Sequence, residues 1–244
     1  MQLHIYETVD EVLAGVADYF VRLANEASVA SKRFSVALAG GNSPKKLFAL
    51  LSSEVYKTQV DWRNIDFFFG DERYVPHTDA DSNFKMANQV LLQPLNIAPG
   101  QIFAIDTSLS PDLSAEKYWN IVQTYFNGHE PRFGLILLGL GDNAHTASLF
   151  PNTPVLSETS AGVKSVFLSN QNAFRITFNA PLINLAENIA FLIYGDDKAI
   201  AVQRVLEAGQ NIDLYPAQLI QPIQGKVDWF LDKGAAAKLK ASRQ

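Results

Sequence analysis

The sequence predicts an α/β fold, a three-layer α/β/α arrangement around a mainly parallel sheet, in a single domain over residues 1–244. Three observations point there. Apolar runs of strand length, at 34–39, 65–69 and 133–138, carry too little polarity to leave one face wet. Amphipathic segments of helical period separate them. No linker, internal repeat or block of like charge interrupts the alternation.

The elements are taken in chain order. His4 lies on an alternating strand pattern at the N-terminal end. Val9, Val12, Leu13, Val16, Phe20 and Leu23 recur at helical spacing, predicting a helix over 9–30. A buried strand at 34–39 runs into Gly40-Gly41-Asn42-Ser43-Pro44 and a helix to Leu51. There Ser43 reads as the N-cap and Pro44 as the first helical residue. The strand at 65–69 closes on Gly70-Asp71-Glu72-Arg73. Residues 80–92 read as helix, 102–105 as a short strand and 112–126 as helix. The strand at 133–138 is the most continuous. Strands at 163–168 and 175–178, with no helix between them, predict a hairpin. A strand at 189–194 and helices at 196–208 and 226–240 complete the reading.

Composition narrows the chemistry. With 48% hydrophobic and 18% charged residues the chain is ordinary globular material, which excludes disorder and collagen-like repeats. Its 20 Lys+Arg stand against 25 Asp+Glu, and no basic run advertises nucleic acid, so none is expected as a partner. The absence of cysteine excludes disulfides, thiolate metal sites and a cysteine nucleophile. No signal-like leader and no apolar run of about 18 to 20 residues is present, so a cytoplasmic protein without a membrane segment is expected.

Open parallel sheets bind ligands beyond the carboxyl ends of their strands, so the residues just past each strand matter most. The first exit, with Gly40, Gly41, Asn42 and Ser43, joins glycine freedom to a helix N terminus, which suits a phosphate. A plain capped turn explains this segment equally well. It lacks Walker A spacing. The second exit, Asp71-Glu72-Arg73, offers a guanidinium able to fork onto a phosphate, although a solvated loop with a local ion pair is the simpler reading in isolation. The acidic-polar step Asp81-Ser82-Asn83 reads as a helix cap or a further polar contact.

The third exit is Gly139-Leu140-Gly141-Asp142-Asn143-Ala144-His145-Thr146-Ala147-Ser148-Leu149-Phe150-Pro151. Of the 4 histidines, His145 alone comes after the strongest strand, in a glycine-rich turn and before a short helix-like segment, where a neutral imidazole can take a proton from water. His77 is a weaker second candidate, and His4 and His129 read as structural or solvated. Gly139, Gly141 and Ala144 match a dinucleotide fingerprint variant, but Pro151 and Pro154 break the helix that fingerprint needs. Neither a Gly-x-Ser-x-Gly elbow nor a His-x-x-x-His metal pair occurs. Arg175 at a strand start and Lys198 just after the 189–194 strand add cations, though alone Lys198 reads as a surface lysine.

Taken in order, these exits resemble the 6-phosphogluconolactonase family with its NagB/RpiA-like fold. The resemblance rests on the 39–44 loop, Asp71-Glu72-Arg73, Asp81-Ser82-Asn83, the 139–151 segment, Arg175-Ile176-Thr177, Lys198-Ala199, Pro216-Ala217 and Trp229-Phe230-Leu231-Asp232. The run His-Thr-Ala-Ser-Leu-Phe-Pro at 145–151 is its most specific part. The resemblance implies hydrolysis of 6-phospho-glucono-1,5-lactone to 6-phosphogluconate in the pentose phosphate pathway. It implies no cofactor, no required metal, and a monomer or weak homodimer. It carries the general-base role onto His145 and places the phosphate near Gly40, Gly41, Asn42 and Ser43, with Arg73 and Lys198, and less firmly Arg175, as cationic contacts.

One departure touches the chemistry. The family loop commonly reads Gly-x-Gly-x-Asp-Gly-His, whereas Asn143 and Ala144 precede His145 here. Asparagine can orient the imidazole but brings no charge to it, and Asp142 is expected to compensate. Ala144 predicts a turn that needs no positive φ. Backbone N–H groups of the glycine turns are expected to stabilise the oxyanion. Two other readings share the fold: an amino-sugar-phosphate isomerase/deaminase, disfavoured by the residues after His145, and a non-catalytic sugar-phosphate sensor.

Overall fold

The computed structural model describes Met1–Lys240, and the last residues of the expected domain, 241–244, lie outside the described residues. In chain order the elements are β1 (Gln2–Tyr6), α1 (Val9–Val29), β2 (Phe34–Leu38), α2 (Asn42–Leu51), β3 (Ile65–Phe69), β4 (Asp71–Arg73), α3 (Asn83–Ala87) and α4 (Pro111–Tyr125). Then come β5 (Leu135–Leu138), β6 (Val163–Leu168), β7 (Ala173–Phe178), α5 (Ala180–Ile183), β8 (Asn188–Ile193), α6 (Ala199–Glu207), β9 (Lys226–Asp232) and α7 (Lys233–Ala236).

A six-stranded sheet runs β1-β9-β8-β5-β2-β3, with every pairing parallel. Its strands are apolar because both faces are covered. Phe34 of β2 is registered against Ile65 of β3, so it shares a face with Phe67 and Phe69 and not with Phe68. Phe20 of α1 meets Phe34 edge-on at 5.6 Å, and Tyr125 of α4 meets Phe68 at 4.9 Å. The two helices therefore lie on opposite faces of the sheet. Helix α1 starts on a capping box in which Thr8 and Glu11 satisfy each other's backbone amides.

A second, antiparallel sheet runs β4-β7-β6. Gly70 hinges it to the first. Its N–H donates to Leu38 O of β2 at 2.9 Å, and its carbonyl accepts from Phe178 N at the end of β7 at 2.8 Å. The chain thus leaves the large sheet at Phe69 and enters the small one at Asp71 without an intervening loop.

Several expectations need correction. The segment 226–240 is not a helix. Its first part is β9, placed between β1 and β8, and only Lys233–Ala236 is helical. A strand buried on both faces has no polar alternation to reveal it, and the alanine run behind it imitates helical period. Residues 102–105 form no strand. They touch the sheet edge at one bridge, Phe67 to Ile102, before Phe103 turns to stack on Phe68 at 4.4 Å. Asp71–Arg73 is a strand and not an open loop. The stretch after His145 is a tight turn closed by a Thr146–Leu149 bridge, with no helix.

Candidate active site

The carboxyl ends of β2, β3, β5 and β8 open into one cavity of about 890 Å³. Gly40, Gly41, Asn42, Ser43, Arg73, His145, Arg175 and Lys198 all line it. Asn143 and Asp142 are not part of the lining; they bond residues that are, Asn143 to His145 and Asp142 to Lys198.

At the first exit the chain turns through Gly41, whose φ of 100° is open to glycine. Gly40 lies against Asn83, and a Cβ there would meet Asn83 Oδ1 at 1.9 Å. Gly41, and not Ser43, is the N-cap of α2, and it makes no side-chain cap bond. The N–H groups of Asn42 and Ser43, in the first turn of α2, therefore lack helical acceptors and remain available to an anion.

At the second exit Arg73 and Arg175 sit directly opposite each other across β4 and β7. Like charges in that register repel. Arg73 Nη1 donates to Asp81 O at 2.7 Å and Arg175 Nη2 to Gln171 Oε1 at 2.6 Å, so among the described residues neither has a carboxylate ion-pair partner. Burial, reinforced by Arg73, holds the Arg175 guanidinium below its usual range. Beneath them Asp71 is buried. Desolvation pushes its carboxyl up, while a 2.7 Å bond from Ser148 Oγ and the two arginines pull it down. Glu72 faces away. Its carboxylate accepts from Ser82 Oγ, Asn83 N and Phe84 N and closes the N terminus of α3, which Ser82 also caps.

At the third exit His145 is held from three sides. Its Nδ1 lies 2.5 Å from Asn143 Oδ1, and its backbone N–H reaches the same oxygen at 3.3 Å. An amide oxygen only accepts, so Nδ1 carries the proton and Nε2 keeps its lone pair. Phe150 stacks on the ring at 4.0 Å. Gly141 also lies against the ring, where a Cβ would meet Nδ1 at 2.0 Å. Burial, with Lys198, Arg175 and Arg73 adding, pushes the imidazole down to about 4, and Asp142 opposes them.

One reading of this loop is overturned and another narrowed. Ala144 does adopt positive φ, at 60°, because the turn bonds Gly141 N to His145 O at 2.9 Å and Ala144 N to Gly141 O at 2.9 Å. The same bonds take Gly141 N–H out of the set of open oxyanion donors. Asp142 makes no hydrogen bond to His145 and acts on it through its charge alone; its carboxylate bridges Lys198, whose ammonium also lies 3.4 Å from Asp197.

Sequence reasoning passed over Lys45, Lys46 and Tyr194, which also line the cavity. Lys46 sits over the Tyr194 ring at 5.5 Å. Their adjacency to the first and last strand exits was the available signal. Among the described residues no group of acidic and histidine side chains is placed to hold a metal ion.

A family model described as glucosamine-6-phosphate isomerases/6-phosphogluconolactonase matches residues 7–229. The chain belongs to this family. A 6-phosphogluconolactonase of Synechocystis is 39% identical over 211 residues, covering 84% of this chain and 85% of the relative. A solved 6-phosphogluconolactonase from Trypanosoma cruzi superposes with a TM-score of 0.84 at 27% identity, covering 98% of this chain and 97% of that one. A monomeric glucosamine-6-phosphate deaminase superposes with a TM-score of 0.81 at 20% identity, covering 98% of this chain and 100% of its own, and shares the fold alone. Both branches of the family are thus built on this scaffold, and the fold does not choose between their reactions.

Proposed function

We propose that this member of the 6-phosphogluconolactonase family hydrolyses 6-phospho-D-glucono-1,5-lactone to 6-phospho-D-gluconate, with His145 as general base. The observation that carries the residue assignment is the oriented, unprotonated Nε2 of His145 in a cavity that also holds Arg73, Arg175, Lys198 and the start of α2. The 39% identity to a 6-phosphogluconolactonase over most of the chain supports the reaction.

In the proposed sequence the phosphate lies against the N terminus of α2 and the cations, which orients the lactone ring and lowers the entropic part of the barrier. Water attacks the lactone carbonyl carbon while Nε2 takes its proton. The tetrahedral intermediate then expels the ring oxygen, which receives that proton back from the imidazolium, and the new carboxylic acid ionises. Every step draws on water and protein groups. Asn143 fixes the tautomer throughout.

The decisive experiment generates the lactone in place with glucose-6-phosphate dehydrogenase and measures its loss with and without the chain. Acceleration above spontaneous hydrolysis supports the reading. Bound 6-phosphogluconate without acceleration would leave a sensor, and ammonia release from glucosamine 6-phosphate would indicate a deaminase.

On this reading the chain acts in the cytoplasm, in the oxidative pentose phosphate pathway, as one domain and as a monomer or weak homodimer, without nucleic acid as partner. The net charge of −5 supports the lack of a nucleic-acid partner, the lack of cysteine a reducing compartment, and the backbone continuity through Gly70 the single domain. Among the described residues no helix is long and apolar enough to cross a membrane.

Replacing Asn143 by aspartate is expected to speed turnover at neutral pH by about tenfold. A carboxylate against Nδ1 raises the imidazole by about 1 to 3 units, and a base nearer the working pH accepts a proton better. The neutral ring is the active form, so activity falls as pH drops through its pKa. The wild-type acid limb of kcat/KM is expected well below 6.5, near the value of about 4, and the limb of Asn143→Asp is expected to move upward. A pH–rate profile with the two limbs superimposed would count against the base assignment.

A further inference from the structure

We infer that Asp142 tunes the affinity of the site for phosphate: it pairs with Lys198 and competes with the substrate's phosphate for it. The inference rests on the lactonase reading for the phosphate-bearing substrate.

The cations of the cavity are treated unequally. Arg73 and Arg175 have only a backbone carbonyl and a glutamine amide for company. Lys198 alone among these three is held by acids, Asp142 on one side and its chain neighbour Asp197 on the other. Asp142 comes from another strand exit, 56 residues away in sequence, so its presence there is a property of the fold and not of local helix chemistry. It gives no hydrogen bond to His145, whose Nδ1 is taken by Asn143.

The pair is built to open. The Asp142 side chain is 75% exposed and that of Lys198 24% exposed. With its carboxylate that open to water, the bridge is weak, worth up to about fivefold in an equilibrium constant. A phosphate brings about −1.5 to −2 charges and three acceptor oxygens, and it meets the two unpaired arginines and the open amides of α2 at the same time. It therefore wins Lys198 from Asp142. The competition weakens phosphate binding by the strength of the bridge it breaks, which raises KM.

The test uses the full-length chain and inorganic phosphate as the calorimetric titrant, at constant ionic strength and a pH where phosphate is a dianion. Asp142→Asn is expected to tighten phosphate by about three- to fivefold, the fold-change of an exposed bridge. Asp142→Glu, which keeps the bridge, is expected to stay near wild type. Lys198→Ala is expected to weaken phosphate, and adding Asp142→Asn to it is expected to restore nothing. In kinetics, KM for the phosphorylated lactone is expected to fall in Asp142→Asn by the factor seen with phosphate. General damage to the site would weaken binding, opposite in sign to this expectation. Unchanged or weaker binding in Asp142→Asn, or equal tightening in the Lys198→Ala background, overturns the inference. The binding measurements read the same whether or not lactone is turned over, and wild-type turnover separately tests the lactonase reading.

Discussion

His145→Ala is expected to lower enzymatic lactone turnover by about 10²- to 10⁴-fold, the usual contribution of a positioned general base. The reason is geometric. Nε2 is the one imidazole nitrogen with a free lone pair, because Asn143 holds Nδ1 at 2.5 Å and Phe150 stacks on the ring at 4.0 Å. The substitution removes the base but leaves the first turn of α2 and the two arginines in place. Calorimetry is therefore expected to show 6-phosphogluconate binding within a few-fold of wild type. The lactone hydrolyses spontaneously, so the rates must be compared after subtracting the reaction without protein. Turnover close to wild type in His145→Ala would remove His145 from the mechanism.

Glu72→Ala is expected to cost about 3 to 5 kcal/mol of stability, because several buried donors lose their acceptor at roughly 1 to 3 kcal/mol each. Glu72 is 1% exposed, and its carboxylate accepts from Arg73 N at 2.7 Å, Ser82 Oγ at 3.0 Å, Asn83 N at 2.7 Å and Phe84 N at 2.8 Å. Burial pushes its pKa up and these donors pull it down, the signature of a desolvated group kept by its hydrogen bonds. Alanine strands four donors inside the protein, the Ser82 hydroxyl, two backbone amides at the start of α3 and that of Arg73 in β4, and opens a cavity beside them. In urea unfolding the midpoint is expected to fall clearly, and Tm by on the order of 10 °C. Glu72→Gln keeps one acceptor and is expected to lose less. A loss below about 1 kcal/mol in Glu72→Ala would mean that the Ser82 cap alone holds α3.

The segment Asp71-Glu72-Arg73 shows how much of the site was legible. Its type of chemistry was visible, since acids and an arginine at a strand exit mark a polar pocket. Their division of labour was not. Three successive residues of a strand point alternately to opposite faces, so Arg73 and Asp71 border the cavity while Glu72 turns away to α3. Reading the segment as a loop hid that alternation. The 226–240 segment failed for a related reason: β9 is buried on both faces by its neighbours, and a single sequence carries no trace of a neighbour.

The glycine-rich turn at 139–145 teaches the converse. The position of His145 at a strand exit was legible, because a continuous apolar strand running into glycines is a local signal. The φ of 60° at Ala144 was not, because the turn's own hydrogen bonds and the tie from Ala217 N to Ala144 O at 3.0 Å impose it.

The amino-acid sequence by itself determined the alternation of strands and helices, the parallel character of the sheet, and the residues at its three polar exits. These arise from periodicity, glycine and capping chemistry, which act over a few residues. Tertiary structure alone decided the strand order, the pairing of Arg73 with Arg175, the bond from Ser148 to Asp71 across 77 residues, and the capture of Lys198 by Asp142. A loop carboxylate at an exposed turn has several partners open to it at similar free energy, and only the packing of distant elements brings one of them within reach.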